Sequence, residues 1–134
     1  MRFNKLIPEL SVTDIDVSKQ FYTDVLGFSV EYTREEDKFV FLSRGEAQIM
    51  IEQINGHWET GKLEYPFGRG INFQIEIDNL DDLVSRAKSK GITPFKDTFV
   101  SRYKSDGITY AEKEVLIQDP DGYLLRFSET QQEQ

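Results

Sequence analysis

The side chains of this sequence that could do chemistry are carboxylates and aromatic rings rather than thiols or imidazoles. The 134 residues include no cysteine and a single histidine, His57. These counts exclude disulfides, zinc–thiolate sites and a thiol nucleophile, and they leave a histidine-based catalytic relay without partners. Three glutamates, Glu9, Glu52 and Glu76, lie instead in alternating, β-like segments. Carboxylates at such positions are candidate partners for a cationic ligand, and the alternative is that they are solvated or paired with Arg126.

A second set of candidate binding residues lies in an irregular connector, residues 54–69. This segment is rich in glycine and contains the only tryptophan, Trp58, together with Tyr65 and Phe67. Aromatic faces stack on flat rings and attract cations. Aromatic residues in a polar connector therefore suggest either a lid over a ligand or packing against another surface, and the sequence leaves both interpretations open.

The overall charge is strongly acidic. The chain carries 24 acidic and 16 basic side chains, a net charge of −8 at pH 7. This balance argues against nucleic-acid binding, which normally needs a basic face, and against attachment to anionic membranes. No long apolar stretch predicts a signal peptide or a membrane span, and a cytoplasmic location is expected. The length favours one domain, and the 38% hydrophobic content is enough for a core.

The elements that must position these residues follow one pattern in the first half. An alternating strand covers about residues 6–12, and a helix follows between an N-cap at Asp14 and a terminating Gly27. More β-like sequence then follows, in residues 28–33, 38–43 and 47–53. The sequence of the first half therefore predicts the element order βαβββ.

The second half repeats this order. A strand at about residues 71–77 precedes a helix that begins at Asp78 or Asn79 and ends at Gly91. Three β-like segments follow, at residues 99–104, 111–118 and 123–128. Asp14 and Asn79 are 65 residues apart, which indicates an internal duplication.

Each flanking strand has one apolar and one mixed face, because alternate side chains project to opposite sides. The apolar face is predicted to lie under the helices and comprises Leu6, Leu10, Val12, Ala47, Ile49, Ile51, Phe73, Ile75, Ile77, Tyr123, Leu125 and Phe127. The mixed face comprises Ile7, Glu9, Ser11, Gln48, Met50, Glu52, Asn72, Gln74, Glu76, Leu124, Arg126 and Ser128. A solvated sheet face would show the same pattern as a ligand site.

Residues 10–15 (LSVTDI), 21–28 (FYTDVLGF) and 119–127 (DPDGYLLRF) resemble the vicinal oxygen chelate superfamily of glyoxalases, dioxygenases and bleomycin-resistance proteins. The resemblance spans about residues 6–129. It implies an α+β fold in which tandem βαβββ modules form a curled mixed sheet whose inner face binds the ligand. It further implies a single domain, 1–134, with modules at about 4–53 and 70–129 and a linker at 54–69. A homodimer is also implied, often with an exchanged N-terminal strand.

The enzymes of this superfamily hold a divalent metal at four equivalent strand positions. The resemblance places these positions at Ile7, Met50, Asn72 and Arg126, and none is a carboxylate or an imidazole. An isoleucine cannot ligate, a thioether is too soft for hard divalent ions, and a guanidinium repels cations. No metal or other cofactor is therefore expected. One alternative stays open, in which a shift of two residues turns Glu9, Glu52 and Gln74 into a relocated site.

Within the superfamily, the missing ligand set points to the bleomycin-resistance type, which binds its antibiotic without chemistry. We therefore expect a metal-free protein that sequesters a cationic, aromatic antibiotic, for example one of the bleomycin class, in a groove of a homodimer. A metal-dependent glyoxalase- or dioxygenase-like enzyme is the alternative, and a groove for protein partners is a further one. The candidate ligand-binding residues are Glu9, Met50, Glu52, Trp58, Tyr65, Phe67, Asn72, Gln74 and Arg126. No catalytic residue is expected.

Overall fold

The computed structural model describes residues 1–133, so Gln134, the last residue of the predicted domain, lies outside the described residues. The chain forms two compact units. The first comprises Met1–Phe67 and Asp119–Gly122, and the second comprises Gly68–Gln118 and the residues from Tyr123 onward. Each unit contains a four-stranded sheet and an α-helix, and neither sheet closes on itself. The predicted fold class, α+β with tandem βαβββ modules, is confirmed.

The sheet of the first unit has the order β1-β4-β3-β2. Its elements are β1 (Glu9–Val12), α1 (Ile15–Gln20), β2 (Ser29–Arg34), β3 (Phe39–Arg44) and β4 (Ala47–Gln53). A π-helical segment, Phe21–Val25, extends α1, and a 3₁₀ turn, Glu35–Asp37, joins β2 to β3. Strand β1 runs parallel to β4 of the same chain, and the other neighbours are antiparallel.

The predicted start and end of the first helix are confirmed by its capping geometry. The Asp14 carboxylate accepts hydrogen bonds from the backbone N–H groups of Asp16 (3.0 Å) and Val17 (3.2 Å). These bonds satisfy donors that a helix N-terminus otherwise leaves unpaired. Gly27 adopts a φ of 75°, the left-handed conformation that favours glycine after a helix.

The sheet of the second unit has the order β5-β8-β7-β6. Its elements are β5 (Asn72–Glu76), α2 (Leu80–Ser89), β6 (Lys96–Ser105), β7 (Ile108–Gln118) and β8 (Leu124–Glu133). The last three strands are longer than the sequence predicted. The β6–β7 pairs extend from Lys96 opposite Leu116 to Ser105 opposite Ile108, and the β7–β8 pairs extend from Thr109 opposite Glu133 to Gln118 opposite Leu124. Asn79, rather than Asp78, caps α2 by accepting from the N–H of Asp82 at 3.1 Å.

The apolar strand face forms the cores of the two units, as predicted, with three exceptions at or before the strand ends. Nine of the predicted residues are buried, namely Leu10, Val12, Ile49, Ile51, Ile75, Ile77, Tyr123, Leu125 and Phe127. Leu6 was predicted to join them, but it is 84% exposed. The reason is that β1 begins at Glu9, so Leu6 precedes the sheet. Ala47 and Phe73, at the beginnings of β4 and β5, are half-buried.

The Asp119–Gly122 turn belongs to the first unit, although it connects two strands of the second sheet. The Asp121 carboxylate accepts from the N–H (3.0 Å) and the hydroxyl (2.5 Å) of Thr13, next to the start of α1. Gly122 has a φ of 94°, and a Cβ there would lie 2.6 Å from the Cα of Pro66. Position 122 is therefore restricted to glycine, both by its backbone conformation and by the close approach of the Pro66 backbone.

Candidate functional site

The mixed face of the first sheet carries the predicted acidic residues beside aromatic rings that the sequence did not single out. Glu9 lies beside Met50, and Ser11 lies beside Glu52, across the parallel β1–β4 pair. On the other side of β4, Phe39 pairs with Glu52 and Phe41 with Met50. Directly paired residues project to the same side of a sheet, so this face combines carboxylates, a thioether and two phenyl rings.

Strand β2 adds a further ring and a guanidinium to this face. Tyr32 stacks on Phe41 with the ring centroids 5.2 Å apart, and the Arg34 guanidinium lies 3.8 Å from the centre of the Phe39 ring. The sequence does not show which face of β3 carries Phe39 and Phe41, because the alternate residues Val40 and Leu42 are equally apolar. Only the pairing with β4 assigns them to the mixed face.

Glu52 is the most buried of the predicted site carboxylates, with 8% of its surface exposed. Its Oε1 accepts hydrogen bonds from the Asn55 side-chain amide (2.5 Å) and from the Trp58 indole N–H (3.2 Å). The structure therefore brings together two predicted residues, Glu52 and Trp58, from a strand and from the connector. Trp58 as a whole is 62% exposed, so it is accessible to a ligand.

A cleft of about 420 Å³ opens beside this pair. Besides Glu52 and Trp58, its walls include Glu36 and Asp37 of the 3₁₀ turn, and Lys38. The cleft walls carry three carboxylates and one ammonium group, and the Arg34 guanidinium lies 3.4 Å from the Asp37 carboxylate. The remaining charge is negative, so the cleft favours a cation, and the indole offers a surface for a cation–π contact. We refer to this site, with the adjoining mixed face of the first sheet, as the acidic cleft. His57 also lines it, and its backbone N–H donates to the side-chain oxygen of Asn55 at 2.8 Å.

Glu9 is electrostatically coupled to this site. Partial burial, and then the negative charge of Glu52, raise the pKa of Glu9 above its ordinary value of 4.5, and the Arg34 charge opposes them. The folded protein therefore holds this proton more tightly than the unfolded chain. As the pH rises through the folded-state pKa, Glu9 ionises and the free energy of unfolding falls. Below the ordinary pKa of 4.5, this loss of stability is absent.

Replacing Glu9 by glutamine is expected to stabilise the protein at neutral pH. The free energy of unfolding of Glu9→Gln should exceed that of the wild type at pH 7, and the difference should disappear below the unfolded-state pKa. Urea denaturation across this pH range measures the effect. Glu46→Gln, which removes the same charge from an exposed position, serves as the control. A Glu9→Gln variant that is less stable than the wild type at pH 7 would contradict the assignment.

The predicted polar residues of the second sheet form a hydrogen-bonded network of their own. The Arg126 guanidinium donates to the side-chain oxygen of Gln74 at 2.6 Å, and its Nε lies 2.7 Å from Oε1 of Glu114. The Gln74 amide N–H group donates to Glu112 at 2.6 Å. Glu112 and Glu114 were not singled out from the sequence, although their alternation in β7 places them on this face. The network neutralises Arg126 within the second unit.

Glu76 and Asn72 occupy the two ends of β5. The Glu76 carboxylate accepts from the Ser128 hydroxyl (3.1 Å), and from the N–H (2.8 Å) and hydroxyl (2.9 Å) of Thr130. Asn72 is exposed and lies opposite Leu124. Glu76 is therefore held by neutral donors of β8 rather than by Arg126.

Tyr65 and Phe67 lie elsewhere in the first unit. They line a different cleft, together with residues of α1 and with Pro120 and Asp121, and this cleft shares no lining residue with the acidic cleft. The structure therefore separates the aromatic residues of the connector into two sites. Trp58 lies beside Glu52, and Tyr65 and Phe67 lie beside α1.

The residues at the family's metal positions do not suit a divalent ion. Met50 offers a thioether between Glu9 and Phe41, and Arg126 is paired with Glu114. The relocated set fits no better, because the side-chain oxygen of Gln74 already accepts from Arg126. Within residues 1–133, no three His, Cys, Asp or Glu side chains cluster in a way that could hold a metal ion.

The fold and the polar strand faces define a tandem βαβββ protein, and comparison with known proteins identifies its family. The model of the Glyoxalase/Bleomycin resistance protein/Dioxygenase superfamily matches residues 4–127. The chain belongs to this superfamily. Within the described part of the chain, no helix is long and apolar enough to cross a membrane.

Two curated relatives carry different names. A bleomycin resistance protein of Geobacillus stearothermophilus is 29% identical over 134 residues, covering 90% of this chain and 92% of that protein. A probable lactoylglutathione lyase of Synechocystis sp. is 24% identical over 127 residues, covering 90% and 91%. An integron cassette protein from the mobile metagenome of V. cholerae has a TM-score of 0.68 at 23% identity, covering 96% of this chain and 97% of that one. This last likeness concerns the fold alone.

Proposed function

We propose that this protein binds and sequesters a cationic, aromatic small molecule without chemical conversion. The observation that carries the proposal is the acidic cleft, in which the buried Glu52 carboxylate is hydrogen-bonded to the exposed Trp58 indole at 3.2 Å. A cationic group placed there meets three carboxylates, of which Asp37 is already paired with Arg34, and the face of an indole ring. The net charge of −8 adds long-range attraction for such a ligand.

The similarity to a bleomycin resistance protein supports a ligand of the bleomycin class, and the residues at the family's metal positions support binding without a metal. Glu9 and Met50, on the adjoining face of the first sheet, are the remaining candidate contacts for this ligand. We further propose that the protein acts as a homodimer, as the family resemblance implies, and that it is located in the cytoplasm.

Isothermal titration calorimetry with bleomycin tests the proposal. We expect saturable binding that weakens as salt is added, because the contacts between carboxylates and cationic groups are screened by mobile ions. Affinity that does not change with salt would assign the binding to ring stacking alone. No heat and no thermal shift at millimolar drug would remove bleomycin as the ligand.

Truncation of Trp58 is expected to weaken drug binding. Trp58→Ala should cost about 1–3 kcal/mol of binding free energy, the range for an aromatic anchor at a binding site. Phe95→Ala is a matched control, because Phe95 is 63% exposed and lies in the second unit. Titration calorimetry of the two variants measures the difference. Equal affinities for the wild type and Trp58→Ala would place Trp58 outside the binding site.

A lactoylglutathione lyase activity is the second candidate function, because relatives with that name match the same share of the chain at 24–27% identity. This activity would need a metal site that the residues at the family's positions do not provide. Elemental analysis of freshly purified protein, followed by a lyase assay with added divalent ions, separates the two functions. Stoichiometric metal together with lyase turnover would overturn the proposal of binding alone.

A further inference from the structure

We infer that the cleft beside α1 in the first unit is a second binding site, which takes a small neutral aromatic molecule carrying a hydroxyl group. The cleft has a volume of about 350 Å³, within the range of small-molecule pockets. It lies between α1, Tyr65, Phe67 and the Asp119–Gly122 turn. This site is separate from the acidic cleft and does not depend on the proposed function.

The walls of this cleft are mainly apolar and leave large hydrophobic side chains open to solvent. Val17 of α1 is 51% exposed and Tyr65 is 61% exposed, while Phe67, at 9%, lies deeper. Pro120 completes the apolar lining. An aromatic ring placed between Val17 and Tyr65 would remove apolar surface from water on both sides, which is favourable.

Ser18 provides the polar feature that defines the ligand. It lines the cleft but is only 1% exposed, and its hydroxyl has no hydrogen-bond partner within residues 1–133. A buried polar group without a partner is costly, and most such groups are paired in folded proteins. Because its oxygen is sealed from solvent, the Ser18 side chain must rotate toward the cleft to meet a ligand hydroxyl. That contact would remove the cost, which selects a phenol over a hydrocarbon ring.

The other polar groups of the cleft already have partners, and they set the charge of the ligand. Both carboxylate oxygens of Asp121 accept hydrogen bonds from Thr13, at 3.0 and 2.5 Å, and the Asp14 carboxylate caps α1. Two carboxylates at the border repel an anionic ligand. The cleft therefore suits a neutral phenol rather than a carboxylic acid or a phosphate.

The test compares phenol with toluene, which has nearly the same size and lacks the hydroxyl. The Val17 methyl and Tyr65 ring signals in ¹H–¹³C correlation spectra of the full chain report binding, and the Tyr65 signals serve for the variant that replaces Val17. For the wild type we expect phenol to bind with a Kd on the order of 1 mM, the range for a ligand of so few atoms. Toluene should bind about fivefold more weakly, the ratio that corresponds to one neutral hydrogen bond.

Ser18→Ala is the decisive variant, because it removes the hydroxyl and keeps the side chain small. Its affinities for phenol and toluene should be equal. Val17→Lys changes an exposed residue, so it should leave the fold intact, and it should abolish binding of both ligands by filling the cleft. Since Ser18→Ala removes an unpaired buried group, its thermal stability should equal or exceed that of the wild type.

Two results would overturn the inference. The first is the absence of Val17 shifts with either ligand at millimolar concentration, and the second is a preference for phenol that persists in Ser18→Ala. A parallel titration with bleomycin keeps the two sites distinct. If Val17→Lys still binds bleomycin, the drug occupies another site. If the wild type does not bind bleomycin, that result contradicts the proposed function and leaves this inference unchanged.

Discussion

Asp119→Ala is expected to lower the free energy of unfolding by about 3 kcal/mol, since it leaves two donors without an acceptor at a buried position. Asp119 is 3% exposed, and its carboxylate accepts from the Tyr22 hydroxyl at 2.8 Å and from the N–H of Asp121 at 2.9 Å. Tyr22 is fully buried, so water cannot replace the lost acceptor. Urea denaturation monitored by circular dichroism measures the change.

Two further variants control this experiment. Asp24→Ala removes an exposed aspartate from the same region and should change the stability by no more than about 0.5 kcal/mol. Tyr22→Phe removes only the hydroxyl, and combining it with Asp119→Ala closes a double-mutant cycle that isolates the Tyr22–Asp119 bond. A loss for Asp119→Ala no larger than that of Asp24→Ala would show that this bond does not stabilise the fold.

Glu52→Gln is expected to weaken the binding of a cationic drug by about tenfold to a hundredfold, the equivalent of one hydrogen bond or ion pair to a charged group. Glutamine keeps the shape and an oxygen that can accept from Asn55 and Trp58, so the cleft should stay intact. The variant therefore tests the charge rather than the packing. Titration calorimetry with bleomycin measures the ratio of the two affinities.

Glu46→Gln is the matched control, because it removes the same charge at an exposed position outside the cleft. It should change the affinity only slightly, through the net charge. A loss of affinity that is equal in Glu52→Gln and Glu46→Gln would mean that overall attraction, rather than the acidic cleft, binds the drug. Unchanged binding in both variants would assign the affinity to the aromatic residues.

Titration with bleomycin measures ligand binding by this protein, whereas the lyase assay measures catalysis. The family is established over residues 4–127, but a bleomycin resistance protein and lactoylglutathione lyases are relatives at comparable identity. Fold therefore does not choose between binding and catalysis, because function depends on the site. The Glu52–Trp58 pair and the poor metal positions favour binding, and both are open to direct measurement.

The predictable part of the fold is the part governed by local rules. Asp14 and Asn79 cap their helices because short polar side chains satisfy the first backbone N–H groups. The alternation in β1, β4, β5 and β8 correctly predicted which strand face is buried, since neighbouring side chains project to opposite sides. The prediction for Leu6 was wrong because β1 begins later, and strand ends depend on pairing partners that local sequence does not reveal.

The sequence by itself therefore determined the repeat, the helix ends, the buried strand face and the unsuitability of the four metal positions. Only the tertiary structure decided how the candidate residues are grouped. Trp58 contacts Glu52 while Tyr65 and Phe67 lie beside α1, and Phe39 and Phe41 share the face of Glu9 and Met50. The physical reason is that helix caps and alternation act between neighbours in the chain, whereas contacts of an irregular connector depend on long-range packing.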